Sequence, residues 1–242
     1  MIERLVKIDP VTHMRASSLS LWLFRASGFQ RLRLWSLRQS LNWERGHFFS
    51  LTARRIMRER FGVSIGDYSH GSCFEPGAFS PGTVVGRYVS LGQRIRAFPA
   101  NHPMNRLSMH GFFFWPDLGY VPRPPGHNHL YAPYLNLPLN KLVIEHDVWI
   151  GDGVFITSRC QRIGLGAVVG AGSVVTKDVP DFAVLAGNPA KFIKWRFTPK
   201  MQECVRQSKW WDLPVTECAC HIDLMVAPLG EDAYNHPLLA KR

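Results

Sequence analysis

A six-residue repeat runs through the middle of the chain and constrains its fold more than any other feature. Each unit begins with an apolar residue, usually aliphatic, and a glycine often follows it. One extra residue near Gln161 shifts the frame once. A fixed short period of this kind indicates a solenoid in which each unit stacks on its neighbours. The first-position residues are Cys73, Phe79, Val85, Leu91, Ile144, Ile150, Ile156, Ile163, Val169 and Val175.

The repeat predicts a parallel β-helix of triangular section. Each unit of six supplies one short strand and one corner, so 18 residues make one coil, and the first-position side chain points into the narrow interior. About ten units in two blocks predict about three coils. Glycine next to the aliphatic residue supplies either the backbone freedom or the close approach of neighbouring coils that a corner needs. A doubly wound α/β fold is disfavoured, because the glycines from Gly164 to Gly172 recur every few residues with no long helix between them.

The first 60 residues form a basic appendage with helical patterning. They hold twelve basic and four acidic side chains, a net charge of +8 out of +11 for the whole chain. A nucleic-acid-binding protein would spread its charge over the folded body, so no nucleic acid partner is expected. Two interpretations remain. The helices either cap the open end of the coil or contact an anionic membrane, and we expect the cap, with the large aromatic side chains buried under it. These side chains are Trp22, Phe24, Trp35 and Trp43.

The chain divides into three predicted parts. The appendage covers residues 1–60, the β-helix covers 61–190, and a C-terminal helix followed by a loose tail covers 191–242. Within the β-helix, residues 103–143 break the period and are rich in aromatic residues and proline. A loop of this length inside a tight solenoid is usually functional. We therefore expect this excursion to form one wall of a site.

Cysteine usage and hydropathy predict the compartment. Five cysteines at irregular spacings favour reduced thiols and a cytoplasmic protein. Cys218, Cys220 and His221 lack the further ligand that a tetrahedral zinc site needs, so no metal is expected. No run of apolar residues is long enough to span a bilayer, and no signal-peptide cleavage site follows the short apolar stretch near the N-terminus. Any membrane contact would be peripheral, at the inner membrane, through residues 1–60.

Beyond the repeat, the chain carries several short motifs that narrow the family. Together with the repeat, they resemble the hexapeptide-repeat acyltransferases of the xenobiotic acetyltransferase and sugar O-acetyltransferase type, over about residues 61–215. Residues 61–69 and the Arg87-Tyr88 pair are most similar to acetyltransferases of surface-polysaccharide pathways. The resemblance implies a left-handed coil, whereas general crossover rules favour the right hand, and it implies a homotrimer. The motifs are NHPM at 101–104, DVWIG at 147–151, GAGSVVTKDVP at 170–180, AGNPAK at 186–191 and KWWD at 209–212.

The resemblance also implies acetyl transfer from acetyl-CoA to a hydroxyl or amine, with His102 as general base. The chemistry agrees, because an alcohol must lose its proton as it attacks the thioester and a neutral imidazole can accept that proton near pH 7. His102 lies where the coil gives way to the excursion, so a rigid strand end would hold it. The roles of His127, His129 and His146 stay open. The residues expected to contact the acceptor are Asn101, His110, Phe113 and Trp115.

Acetyl-CoA requires cations for its phosphates and an edge of exposed backbone for its thin pantetheine arm. Trp149 either covers the pantetheine or the acceptor, or fills a corner of the coil. The candidate corner residues are Gly151, Gly170, Ala171 and Ser173. The candidate cations are Lys177, Lys191 and Lys194.

The sequence therefore favours an acetyl-CoA-dependent O-acetyltransferase that acts on a saccharide of a surface or exported polysaccharide. Acetylation of an antibiotic or another small hydroxylated molecule is the first alternative. A catalytically silent β-helix that binds a partner is the second. A zinc enzyme of the β-helical carbonic anhydrase type would need closely spaced histidines on adjacent coils, and no such spacing is present. The excursion would select the acceptor, but its sequence does not indicate which acceptor that is.

Overall fold

The structure is a computed structural model that describes residues 15–26, 30–102, 104–113 and 141–239. Its centre is built from short strands separated by corners. In chain order the strands are β1 (Ser64–Ile65), β2 (Val84–Val85), β3 (Ser90–Leu91), β4 (Arg96–Ala97), β5 (Val143–Ile144), β6 (Trp149–Ile150), β7 (Phe155–Ile156), β8 (Arg162–Ile163), β9 (Val168–Val169), β10 (Val174–Val175), β11 (Ala183–Ala186) and β12 (Lys191–Trp195).

The strands stack into three sheets, and from β3 to β11 each strand joins a different sheet from the strand before it. The sheets have the orders β1-β2-β5-β8, β4-β7-β10 and β3-β6-β9-β11-β12. The pairs within them are parallel, except that β11 and β12 are antiparallel. The runs β2–β4, β5–β7 and β8–β10 each complete one coil. This architecture confirms the predicted parallel β-helix of about three coils.

The first-position side chains form columns in the interior of the coil. On one face, Val85, Ile144 and Ile163 lie on the neighbouring strands β2, β5 and β8, and all three are buried. Ile144 pairs with Ile163, nineteen residues later, so the coil absorbs the extra residue that the sequence shows near Gln161. The repeat resumes at β5, so Val143, which the sequence assigned to the excursion, already lies in a strand.

Three helices precede the coil and close its first end. They are α1 (Ser18–Ala26), α2 (Gln30–Trp43) and α3 (Leu51–Phe61). The hydroxyl of Ser50 accepts the N–H of Ala53 and caps the start of α3, and Gly62, with φ of 67°, ends it in the left-handed region. Ile56 and Met57 on the inner side of α3 belong to the same buried cluster as the coil interior. The helices therefore cap the coil.

The tryptophans are not part of this cap, which corrects the prediction that they fill the coil end. Phe24 is buried, as expected, but the side chains of Trp22, Trp35 and Trp43 are 63%, 44% and 49% exposed. Ile56, on the side of α3 that faces the coil, already occupies the position that the indoles were expected to fill. The tryptophans of α1 and α2 are therefore exposed, and Phe24 is the aromatic residue of α1 that packs in the core.

Helical segments also follow the coil. They are α4 (Pro199–Ser208), α5 (Val215–Ala219), α6 (Ile222–Val226) and the 3₁₀ helices Trp210–Asp212 and Glu231–Asn235. The prediction that the chain beyond about residue 225 is a loose tail is wrong for the described residues. Leu238 and Leu239 are buried, and Leu239 packs with Trp211 in one apolar cluster. None of the helices in the described part of the chain is long and apolar enough to cross a membrane.

Candidate functional site

His102 lies five residues after the end of β4, at the start of the excursion, with its side chain exposed. Its Nδ1 atom is 2.7 Å from the carbonyl oxygen of Met109. A carbonyl oxygen can only accept a hydrogen bond, so Nδ1 carries a hydrogen, and in the neutral ring the lone pair is on Nε2. This tautomer is the one in which Nε2 can take a proton from an acceptor hydroxyl.

The bond from His102 to Met109 closes a short loop and sets the next residues beside the histidine. The N–H of His110 donates to the hydroxyl of Ser108 at 3.1 Å, and the N–H of Phe113 donates to the carbonyl of His110 at 3.0 Å. Phe113 ends a one-turn 3₁₀ helix and is exposed. Asn101, directly before His102, is exposed as well. Four predicted site residues therefore share one segment, whereas Trp115, His127 and His129 lie outside the described residues.

Two phenylalanines at the edge of the coil that leads into the His102 segment were not predicted from the sequence. Phe98 and Phe155 are both about half exposed, and their rings stack at 6.0 Å between centroids with an interplanar angle of 13°. Phe98 precedes His102 by four residues, and its N–H donates to the carbonyl of Ile156 on β7. The sequence signal for this pair is an aromatic residue at an outward-facing repeat position on each of two stacked coils. We call this pair the aromatic ledge.

Lys191 and Lys194 lie on the same face of β12, although strand periodicity places residues three apart on opposite faces. The pairing of β11 with β12 shifts register between Val184 and Leu185. As a result Lys191 pairs with Ala186 and Lys194 pairs with Val184. Val184 and Ala186 are two residues apart, so they and their cross-strand partners point to one face. Both lysines are exposed, as is Lys177 shortly after β10.

The predicted corner glycines serve the stacking of the coils. A Cβ atom on Gly151 would lie 2.6 Å from the backbone nitrogen of Ala171, so no larger residue fits there. The N–H of Gly151 donates to Val169, and the N–H of Gly170 donates to Leu185. These two N–H groups are committed to the coil and are not available to acetyl-CoA, so the predicted contact of the donor with Gly151 and Gly170 stays a prediction for their other backbone atoms. Ala171 is exposed and stays a candidate.

The Ser173 side chain has a structural role instead of the predicted contact with acetyl-CoA. Its side chain is fully buried. The hydroxyl donates to the carbonyl of Gly170 at 2.6 Å and accepts the N–H of Gly187 at 3.1 Å. Both hydrogen-bonding roles of the hydroxyl are therefore used inside the protein. Trp149, in contrast, is 56% exposed on β6, so it does not fill a corner and is accessible to a ligand.

Comparison with known proteins decides the family. The chain is 32% identical over 170 residues to a chloramphenicol acetyltransferase from Agrobacterium fabrum, in a match that covers 66% of this chain and 77% of that protein. It is 37% identical over 105 residues to a galactoside O-acetyltransferase from Lactococcus lactis subsp. lactis, covering 43% of this chain and 39% of that protein. The chain belongs to the hexapeptide-repeat acetyltransferases of the xenobiotic and sugar O-acetyltransferase type. This confirms the predicted enzyme class and acetyl-CoA as the donor.

No family model matches the chain. Among solved structures, it is similar to a hexapeptide-repeat-containing acetyltransferase from Vibrio cholerae, crystallised with acetyl-CoA. The two are 18% identical with a TM-score of 0.38, and the match covers 73% of this chain and 83% of that one.

In the present chain, the KWWD motif at 209–212 attaches the C-terminal segment to the side of the coil. Trp211 is buried and stacks on His146, with 5.4 Å between ring centroids. The Arg87 guanidinium donates to the carbonyl of Asp212 at 2.8 Å. The Tyr88 hydroxyl donates to the carbonyl of Leu213 at 2.7 Å. The KWWD motif therefore has a structural role in this protein.

His146 belongs to the same attachment, which answers the question left open by the sequence. Its Nδ1 accepts the backbone N–H of Arg87 at 2.9 Å. Burial lowers the pKa of His146 below the usual value for histidine, so the neutral form is favoured. Within the described ranges, no group of three or more His, Cys, Asp or Glu side chains is arranged to hold a metal ion.

Proposed function

We propose that this enzyme transfers the acetyl group of acetyl-CoA to a hydroxyl of a saccharide, with His102 as general base. The observation that carries the proposal is the 2.7 Å bond from Nδ1 of His102 to the carbonyl of Met109, because it directs the lone pair to Nε2. The acceptor hydroxyl gives its proton to Nε2 as its oxygen attacks the thioester carbonyl. When the C–S bond breaks, CoA leaves as a thiolate and recovers that proton from the imidazolium.

The surroundings of His102 support a saccharide acceptor. A sugar ring presents C–H faces and hydroxyl edges. The aromatic ledge and Phe113 offer apolar ring faces, and Asn101 and His110 supply polar groups in the same segment. The match to a galactoside O-acetyltransferase supports the same class, and we propose a sugar of a surface or exported polysaccharide. The longer match to a chloramphenicol acetyltransferase supports a small hydroxylated antibiotic as the second candidate.

For the donor, we propose that Lys191 and Lys194 hold the phosphates of acetyl-CoA. They are exposed on one face of β12, and two cations on one face are complementary to a multivalent anion. Lys177 completes this group. Trp149 packs against the pantetheine arm, which is supported by its exposure on the outer surface of β6.

The active form is proposed to be a homotrimer of left-handed coils, with the acetyl-CoA groove between neighbours. Flat sheet faces that expose Trp149 and Phe155 are suited to packing around a threefold axis, and the family resemblance points the same way. Sedimentation at the protein concentration of the assay is expected to give a trimer. An active monomer under these conditions would contradict the proposal.

The base is tested with His102→Ala and His102→Asn. The asparagine amide can still donate near the Nδ1 position but cannot accept a proton, so it separates positioning from proton transfer. Both variants are expected to lower kcat by about 10²- to 10⁴-fold while the acetyl-CoA Kd stays close to that of the wild type. Thiol release is measured with a panel of saccharides and with chloramphenicol. Near-normal turnover by folded His102→Asn would exclude the base, and turnover with chloramphenicol alone would overturn the saccharide proposal.

A further inference from the structure

The two N-terminal helices present tryptophan on the side that faces away from the protein. The Ser36 hydroxyl on α2 donates to the carbonyl of Ser20 on α1 at 3.2 Å, and both serines are buried. The small side chains therefore lie where the helices meet each other. Trp22, two residues after Ser20, lies on the opposite side of α1, and Trp35 is exposed on α2 outside this contact. Their exposure follows from how the helices pack.

Aliphatic residues accompany these tryptophans. Leu19 precedes Trp22 by three residues, and Leu32 precedes Trp35 by three residues, so each helix exposes an aliphatic–indole pair about one turn apart. Trp43 is exposed at the end of α2. We call these five residues the tryptophan face. A solvated cap gains nothing from exposing such large apolar side chains, and exposed apolar groups rimmed by polar ones indicate an interaction surface.

The same region is strongly cationic. Residues 15–60 contain ten arginines and only two glutamates. Glu44 is buried, where it accepts a hydroxyl and a backbone N–H, and Glu59 is paired with two arginines. Arg31 and Arg38, by contrast, are exposed one turn before and one turn after Trp35. The surface around the tryptophan face is therefore positive.

We propose that the tryptophan face docks the enzyme onto an anionic membrane surface. Indole rings favour the headgroup boundary of a bilayer, and nearby arginines are attracted to anionic headgroups. A second copy of the chain is a poor partner for this face, because the two copies would oppose arginine to arginine. A nucleic acid would use the arginines but not the exposed leucines. This inference concerns the location of the enzyme and does not depend on which acceptor it uses.

The test uses the full-length protein and phosphatidylcholine vesicles with or without phosphatidylglycerol. At low ionic strength the protein is expected to co-sediment with the anionic vesicles only, with a blue shift of tryptophan emission and release by salt. Trp22→Ala combined with Trp35→Ala, and Arg31→Gln combined with Arg38→Gln, are each expected to weaken binding on the order of tenfold. Two exposed residues outside the region, changed as Trp195→Ala and Arg159→Gln, serve as matched controls and are expected to have no effect.

Several results would overturn the proposal. One is the absence of binding to anionic vesicles at low ionic strength. Another is equal loss of binding in the control variants. Dissociation of the oligomer by the Trp22 and Trp35 changes would assign the face to contact between copies, and displacement of the vesicles by a polynucleotide with no effect of those changes would assign it to nucleic acid. Thermal unfolding checks that the variants are folded. Their acetyl transfer to a soluble acceptor is expected to stay unchanged, so this test is independent of His102.

Discussion

Ile56 is where the cap and the coil can be tested as one folding unit. Its side chain on α3 is fully buried in the cluster that continues through the coil interior. Ile56→Ala removes three carbon atoms and leaves a cavity, which costs about 2–5 kcal/mol of unfolding free energy. For a chain of this size, 1 kcal/mol lowers Tm by roughly 2–4 °C. A loss of about 3 kcal/mol therefore predicts a Tm lower by about 6–12 °C.

The assay is thermal unfolding followed by circular dichroism and by calorimetry. Leu51→Ala is the matched control, because Leu51 lies on the same helix but is 39% exposed, and it is expected to change stability by about 0.5 kcal/mol or less. Both variants should unfold in one transition. The reasoning would be refuted by equal Tm losses in the two variants. It would also be refuted if Ile56→Ala melted the helices in a separate early transition and left the coil intact.

Two further predictions follow from the site and the attachment. Changing Lys191 and Lys194 to Ala is expected to raise the KM for acetyl-CoA and reduce its salt dependence while the acceptor KM stays unchanged; equal changes in both KM values would contradict the assignment. His47 lies between α2 and α3, and its Nδ1 accepts the backbone N–H of Gly71, as Nδ1 of His146 accepts that of Arg87. Burial lowers the pKa of both histidines, so protonation disfavours the folded state. Their contribution to stability is present above the ordinary histidine pKa of about 6.5 and is lost as pH falls below it. Urea midpoints between about pH 7.5 and 5.5 should fall less in the His47→Asn/His146→Asn double variant than in the wild type, and an identical fall would exclude this explanation.

Much of this architecture was predictable from the sequence because a period of six is a local property. The column of Val85, Ile144 and Ile163 was visible as a spacing, and a narrow coil interior has room for one such side chain per strand. The position of His102 at the end of the first block was likewise a matter of chain order. The motifs were sufficient for the family because they combine several local patterns in a fixed sequence.

The remaining features depended on contacts between distant residues or on which side of an element packs. The tautomer of His102 follows from the carbonyl of Met109, and the shared face of Lys191 and Lys194 follows from a register shift against β11. The helical pattern of residues 18–43 was compatible with burying or exposing the tryptophans, and the packing of Ser20 against Ser36 decided for exposure. Sequence periodicity reports which side chains share a face. Only tertiary packing decides what that face meets, because the partner is supplied by another part of the chain.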